Sequence, residues 1–205
     1  MFDFLNGPAD EVAARLLGCE LVRRVDGRVL RGRIVETEAY DQTDAASHSY
    51  RGQTPRTDVM FGSAGRLYVY FTYGMHYCCN IVTGDRGHGS AVLIRALEPL
   101  EGQAAMAGRR HKPADSLELT NGPAKLCQAL VIDRRLNGYN VVGHSASNKT
   151  APTEEMDGPA GGLWLLVGQP VLTEHIVQTT RVGISRAKDV LWRFYIRGNR
   201  YVSKV

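Results

Sequence analysis

No stretch of the 205 residues is long and apolar enough to span a bilayer. The opening Met1-Phe2-Asp3-Phe4-Leu5-Asn6 lacks the basic start and apolar core of a secretory signal. A cytoplasmic location is therefore expected, nucleoid-associated if bacterial, with no membrane partner. Cysteine is scarce: four residues, at 19, 78, 79 and 127, with no CxxC. Neighbours Cys78 and Cys79 point to opposite faces of a strand, so reduced thiols are expected rather than a disulfide framework. The six histidines at 48, 76, 88, 111, 144 and 175 show no paired ligand spacing, and neither a metal nor a cofactor is expected. No GxxxxGK[S/T], GxGxxG or GxSxG cradle occurs, which weighs against nucleotide-binding enzymes and serine hydrolases of those types. Internal repeats and low-complexity tracts are absent as well.

What is present describes an ordinary globular chain with 43% hydrophobic and 22% charged residues. Net charge is only +4, but its distribution is uneven. From Arg181 to Val205 five Arg and two Lys face one acid, Asp189, a surplus of +6 that suits a polyanion. Arginine outnumbers lysine twenty to five, a bias that genome composition alone can also produce.

Asn6 or Gly7 can cap a helix that Pro8 begins and Gly18 stops, with Ala9, Val12, Ala13, Leu16 and Leu17 as its apolar stripe. Asp26-Gly27 joins strands Cys19–Val25 and Arg28–Tyr40 as a hairpin. A long polar connection over 41–65 is of the length that is usually functional. Strands follow at Leu67–Tyr73, His76–Val82 and Ser90–Leu97. Glu98-Pro99-Leu100-Glu101 starts a helix to about Gly108, with acids near its positive end, and Asn121-Gly122-Pro123 starts another over Ala124–Leu130. Residues 143–161 read as a surface loop, and Leu163–Val167, Ile176–Val182 and Arg193–Arg197 as strands. This order predicts an α+β fold. Residues 1–205 are expected to form one domain with a mostly antiparallel curved sheet, flanking helices and a protruding β-hairpin.

The candidate chemistry centres on Arg33–Tyr40. In a regular, half-buried strand Glu36, Glu38 and Tyr40 share one face, and Val35, Thr37 and Ala39 the other. Two neighbouring carboxylates can cleave a bond at an anomeric carbon; they can equally pair with Arg31 and Arg33. Arg95, alone among apolar residues, needs an anion, and Glu36 or Glu38 is the available type. Tyr40, Tyr68, Tyr70 and Tyr73, with His48, form either core packing or a stacking site for a planar ring.

Several strings in order then carry a resemblance. They are Arg33-Ile34-Val35-Glu36-Thr37-Glu38-Ala39-Tyr40, Ala45-Ala46-Ser47-His48-Ser49, Gln53-Thr54-Pro55-Arg56, Leu67-Tyr68-Val69-Tyr70 with Tyr73-Gly74-Met75, and Asn80. Leu93-Ile94-Arg95-Ala96-Leu97-Glu98-Pro99, Thr120-Asn121-Gly122-Pro123-Ala124-Lys125-Leu126, Arg181-Val182-Gly183 and Arg193-Phe194-Tyr195-Ile196-Arg197-Gly198 continue it. Together they resemble the alkyladenine (3-methyladenine) DNA glycosylase family over nearly the whole chain. The resemblance implies a partner, damaged double-stranded DNA, and a reaction in which a damaged purine is flipped out and hydrolysed off. It makes Glu38 the general base for a water, with Arg95 and the Val182 carbonyl holding that water. It makes Tyr40, Ala46, His48, Tyr70 and Asn80 the base pocket and Tyr73 the intercalating wedge. Thr54, Arg56, Met60, Gly74, Met75 and Arg197 fall at DNA-binding positions, and Glu36 becomes structural. None of the five lysines is placed as an amine nucleophile, so a monofunctional hydrolase is expected; a monomer is also expected. The alternatives are a catalytically weak lesion-binding module, and a carbohydrate-active hydrolase using Glu36 and Glu38 as a pair.

Overall fold

The computed structural model describes residues 2–142 and 161–203; most of the expected 143–161 loop lies outside them. The architecture is organised by one strand. Among the described residues, eight strands form one antiparallel sheet. Its longest, β2 (Arg28–Tyr40), follows β1 (Glu20–Val25) through a turn in which Asp26 and Gly27 take φ of 52° and 66°, as the dipeptide predicts. On one side β2 pairs along its length with β5 (Ala91–Glu101). On the other its first half pairs with β1 and Glu36–Glu38 pair with β8 (Arg193–Ile196). The hairpin β3 (Leu67–Thr72) and β4 (His76–Val82) extends the sheet beyond β5. At the other end β6 (Leu163–Leu166) pairs with β1, and β7 (Ile176–Thr179) pairs with β8.

Register shifts between β2 and β5 fall at Arg31/Gly32, Ile34/Glu36 and Glu36/Thr37. Such bulges bend a strand and increase its twist, and these sit beside the two glutamates. Both faces of β2 are covered. Thr37 donates its hydroxyl to the Ala13 carbonyl of α1 (Ala9–Leu16) at 2.8 Å, while Glu36 and Glu38 are fully buried on the opposite side. The expected half-buried strand is thus enclosed, because Arg95, Arg193 and Ser203 are bonded to Glu36, and Arg95, Tyr40 and the Val182 N–H to Glu38, on that side. The main core gathers Val12, Ala13 and Leu16 of α1, Ile34 and Val35 of β2, Ile94 and Leu97 of β5, and Leu126 and Leu130 of α3 (Pro123–Leu130).

Several boundaries differ from expectation. Pro8 rather than Asn6 or Gly7 precedes the first turn of α1, and no side chain caps it. The helix expected from Glu98 starts at Gln103, as α2 (Gln103–Arg110). Glu98, Pro99 and Glu101 instead prolong β5 opposite Arg33, Gly32 and Arg31, and Arg31 pairs with Glu101 at 3.5 Å. Pro99 is tolerated because β4 pairs with β5 only at Ala91–Leu93, leaving the far half of β5 an edge. Gly102 then turns the chain with φ of 82°, where a Cβ would meet Leu30 at 2.5 Å. β7 stops at Thr179, short of the predicted Val182, because the chain leaves the sheet there and crosses to Glu38. β3 ends at Thr72, so Tyr73 belongs to the turn and not the strand.

Candidate active site

A cavity of about 440 Å³ opens beside the bulged part of β2. Only one of the two adjacent glutamates lines it: Glu38 does and Glu36 does not. Glu38 Oε1 accepts the Val182 peptide N–H at 2.7 Å and lies 3.2 Å from Arg95 Nη1; Oε2 accepts the Tyr40 hydroxyl at 2.8 Å. Glu36 is turned inward and saturated. Its Oε1 accepts Arg95 Nε (3.0 Å), Arg193 Nε (2.7 Å) and the Ser203 hydroxyl (3.0 Å), and its Oε2 accepts the Ser203 N–H (2.6 Å). Arg95, not Arg31 or Arg33, therefore bridges both carboxylates. Burial opposes its charge, but Glu38 and Glu36 together hold it above the ordinary arginine range. The Glu38 carboxylate borders the cavity, whereas Glu36 is taken up by Arg95, Arg193 and Ser203. That asymmetry weighs against the paired-carboxylate alternative.

The walls are aromatic. Tyr40, with its ring 4.8 Å beneath the Arg181 guanidinium, is held up in pKa by burial and then by the neighbouring Glu38 charge, so it remains a phenol and a donor. His48 and Tyr70 meet edge to face with centroids 4.6 Å apart, and Tyr68 lies 3.0 Å from His48 Nδ1 through its hydroxyl. Asn80 donates to the Tyr68 carbonyl at 3.1 Å, and Ala46 and Met60 complete the lining. Tyr73, with φ of 50°, stands at the tip of the β3–β4 hairpin and is 84% exposed, yet its inner edge borders the cavity mouth. Tyr73 and Gly74, with φ of 50° and 66°, form the left-handed turn of the hairpin, so strand alternation does not set the direction of Tyr73.

Residues 3–200 match the methylpurine-DNA glycosylase family. The chain belongs to that family. Relatives named "Putative 3-methyladenine DNA glycosylase" include one from Carboxydothermus hydrogenoformans, 50% identical over 94% of this chain and 92% of its own length. Another, from Francisella tularensis, is 46% identical over 95% and 93%. A third, from Methanoculleus marisnigri, is 50% identical over 94% and 92%. Membership of the methylpurine-DNA glycosylase family sets the reaction class as hydrolysis of an N-glycosidic bond in DNA.

In this methylpurine-DNA glycosylase family member the fold gathers Glu38, Arg95, Val182, Tyr40, Ala46, His48, Tyr70, Asn80, Met60 and Tyr73 at one cavity. Thr54, Arg56, Gly74, Met75 and Arg197 lie outside it. Arg56, Gly74, Met75 and Arg197 are exposed. The Arg56 guanidinium is 6.0 Å from the Tyr70 ring. Thr54 spends its hydroxyl on Thr57 inside its own turn. Met60 is buried among Phe61, Tyr68, Val82 and Ala91 and reaches the cavity rather than the surface. Among the described residues no three His, Cys, Asp or Glu side chains gather as a metal site.

Sequence reading passed over several residues that build this site. Arg181 is buried, bonds the Ala39 carbonyl at 2.9 Å and grips Asp44 with both terminal nitrogens. The pair ties the 41–49 loop, which carries Ala46 and His48, to the segment that carries Val182. Cys78 also lines the cavity, two residues before Asn80 on β4; the strand period placed it there. Burial pushes its thiol up to about 11, so it is no nucleophile near neutrality.

His48 supplies a pH test. Burial, then the Arg56 charge, lowers its pKa from 6.5 to about 4. The folded state therefore binds fewer protons than the unfolded one between those values. Stability contributed by neutral His48 is present above about pH 6.5 and is lost as pH falls toward 4. In a histidine ring NMR titration its midpoint is expected near 4. Arg56→Ala should move it upward by less than half the shift, because burial is the larger cause. A wild-type midpoint at the ordinary value would mean that the ring is solvated.

Proposed function

We propose that residues 1–205 act as one monomeric, cytoplasmic DNA glycosylase domain that flips and excises alkylated or deaminated purines from duplex DNA, leaving an abasic site. The substrate types are 3-methyladenine, 7-methylguanine, hypoxanthine and ethenoadenine. The observation that carries this reading is that Glu38, alone of the two carboxylates, opens to a cavity with aromatic walls. In the proposed reaction Glu38 takes a proton from a water that attacks C1′ of the sugar as the bond to the base breaks. Arg95 and the Val182 carbonyl hold that water; the Val182 N–H, bonded to Oε1, orients the carboxylate.

Tyr40, His48 and Tyr70 stack against the flipped base, and a cationic methylated purine gains further from their π-faces. Neutral His48 adds no opposing charge. Asn80 disfavours the amino group of guanine. Arg56, Arg197, Thr54, Gly74 and Met75 contact the duplex around the opening. No lysine lines the cavity among the described residues, which supports a monofunctional hydrolase over a lyase. The direct test is release of hypoxanthine or 3-methyladenine from lesion duplexes; release of neither, across a panel of damaged bases, sinks the proposal.

Tyr73 is the proposed wedge that fills the gap in the stack. Base–aromatic stacking is worth about 1–3 kcal/mol, part of the few kcal/mol that unstacking costs. Tyr73→Ala is expected to reduce the flipped population by that amount, read from the fluorescence of 2-aminopurine beside the lesion. Affinity for undamaged duplex should be nearly unchanged. Equal losses of both would contradict the wedge role.

A further inference from the structure

The C-terminal segment reaches the buried side of Arg95, remote from the cavity. After β8 the chain is pinned by Asn199, whose side chain donates to Glu98 at 3.0 Å and accepts the Tyr201 N–H at 2.9 Å. The Val202 N–H bonds the Asn199 carbonyl at 3.3 Å, and the Val202 side chain is buried. This anchoring delivers Ser203 between Arg95 and Glu36. Its hydroxyl accepts from Arg95 Nη2 at 3.2 Å and donates to Glu36 Oε1 at 3.0 Å, and its N–H donates to Glu36 Oε2 at 2.6 Å. One hydroxyl proton and one lone pair are thus both engaged.

Arg95 is consequently held at all three guanidinium nitrogens: Nε on Glu36, Nη2 on Ser203, and Nη1 toward Glu38 at 3.2 Å. A guanidinium is planar, so fixing Nε and Nη2 fixes the direction of Nη1. We propose that Ser203, acting with Glu36, is a positioning residue that sets the plane of Arg95 against Glu38. It touches neither base nor sugar. Its consequence for rate rests on the glycosylase function proposed above.

The test compares wild type, Ser203→Ala and Ser203→Thr. Ser203→Ala removes the hydroxyl but keeps the peptide N–H to Glu36; Ser203→Thr keeps both. Single-turnover release of hypoxanthine from a lesion duplex should fall about tenfold in Ser203→Ala, which loses the hydroxyl's hydrogen bonds to both Arg95 and Glu36. Lesion-duplex affinity should stay within about twofold, and Ser203→Thr should recover the rate to within about threefold. A second readout needs no turnover. The Arg95 Nε–H resonance, assigned by its absence in Arg95→Lys, should exchange with solvent faster in Ser203→Ala and at the wild-type rate in Ser203→Thr. If wild type releases no base from any lesion duplex, the glycosylase reading fails while the exchange measurement still decides the positioning. Unchanged exchange overturns the inference. So does faster exchange without a rate loss, a rate loss matched by an equal loss of affinity, or a loss that threonine does not restore.

Discussion

Glu38→Gln is expected to slow base release by about 10²–10⁴-fold, the usual contribution of a positioned general base, while the lesion complex still forms. The amide keeps the shape of the carboxylate. Its oxygen can accept the Val182 N–H and the Arg95 Nη1 that now reach Oε1, and its nitrogen can face the Tyr40 hydroxyl on the other side. The fold therefore has little reason to change, and Arg95, which keeps Glu36 as its carboxylate partner, stays in place. Single-turnover kinetics on a lesion duplex, with affinity measured in parallel, separates these effects. A variant with wild-type release would remove Glu38 from the chemistry. If the carboxylates worked as a pair, Glu36→Gln would cost as much rate as Glu38→Gln. The enclosure of Glu36 by Arg95, Arg193 and Ser203 predicts instead that its neutralisation acts mainly through stability and the setting of Arg95.

Arg95→Met should produce the largest loss of stability. Arg95 is 6% exposed, and its guanidinium lies between the carboxylates of Glu36 and Glu38, both 0% exposed. Methionine fills part of the space but leaves Glu38 with two neutral donors and takes one of the arginines from Glu36. Removing one partner of a buried ion pair typically costs about 3–5 kcal/mol, because the remaining charge stays desolvated. In a chain of this size each kcal/mol moves the melting temperature by about 2–4 °C. Urea unfolding should show a lower midpoint with an unchanged slope. Adding Glu38→Gln to Arg95→Met should recover part of the loss, since it removes one of the stranded charges. A loss below about 1 kcal/mol would place the cluster among solvated surface ion pairs.

Local chemistry was legible where it depends on neighbours in the chain. Asp26-Gly27 announced its turn, Pro123 its helix and the alternation of β2 its two faces. The helix expected at Glu98 failed because an acidic, proline-containing start suits a helix but also suits an edge strand. Pairing of Glu101 and Glu98 with Arg31 and Arg33 across β2 decided for the strand. Arg193 and Ser203 could not be read as partners of Glu36, since more than 150 residues separate them from it and only the pairing of β8 with β2 brings them there. Arg181 stood in plain view beside Val182, but nothing in the sequence linked it to Asp44.

By itself the sequence determined the family, the α+β class and the residue types at the site, because each is written in short ordered strings. It left Glu36 and Glu38 equivalent by spacing, and family resemblance alone distinguished them. Tertiary structure decided the division physically. The bulges in β2 and the covering of its outer face enclose Glu36 among two guanidiniums and a serine, where its charge is fully compensated. Glu38, two residues on, is held by Arg95, Tyr40 and Val182 with one side open to the cavity. A strand period of two can place both carboxylates on one face; only what packs against that face determines which of them borders the cavity.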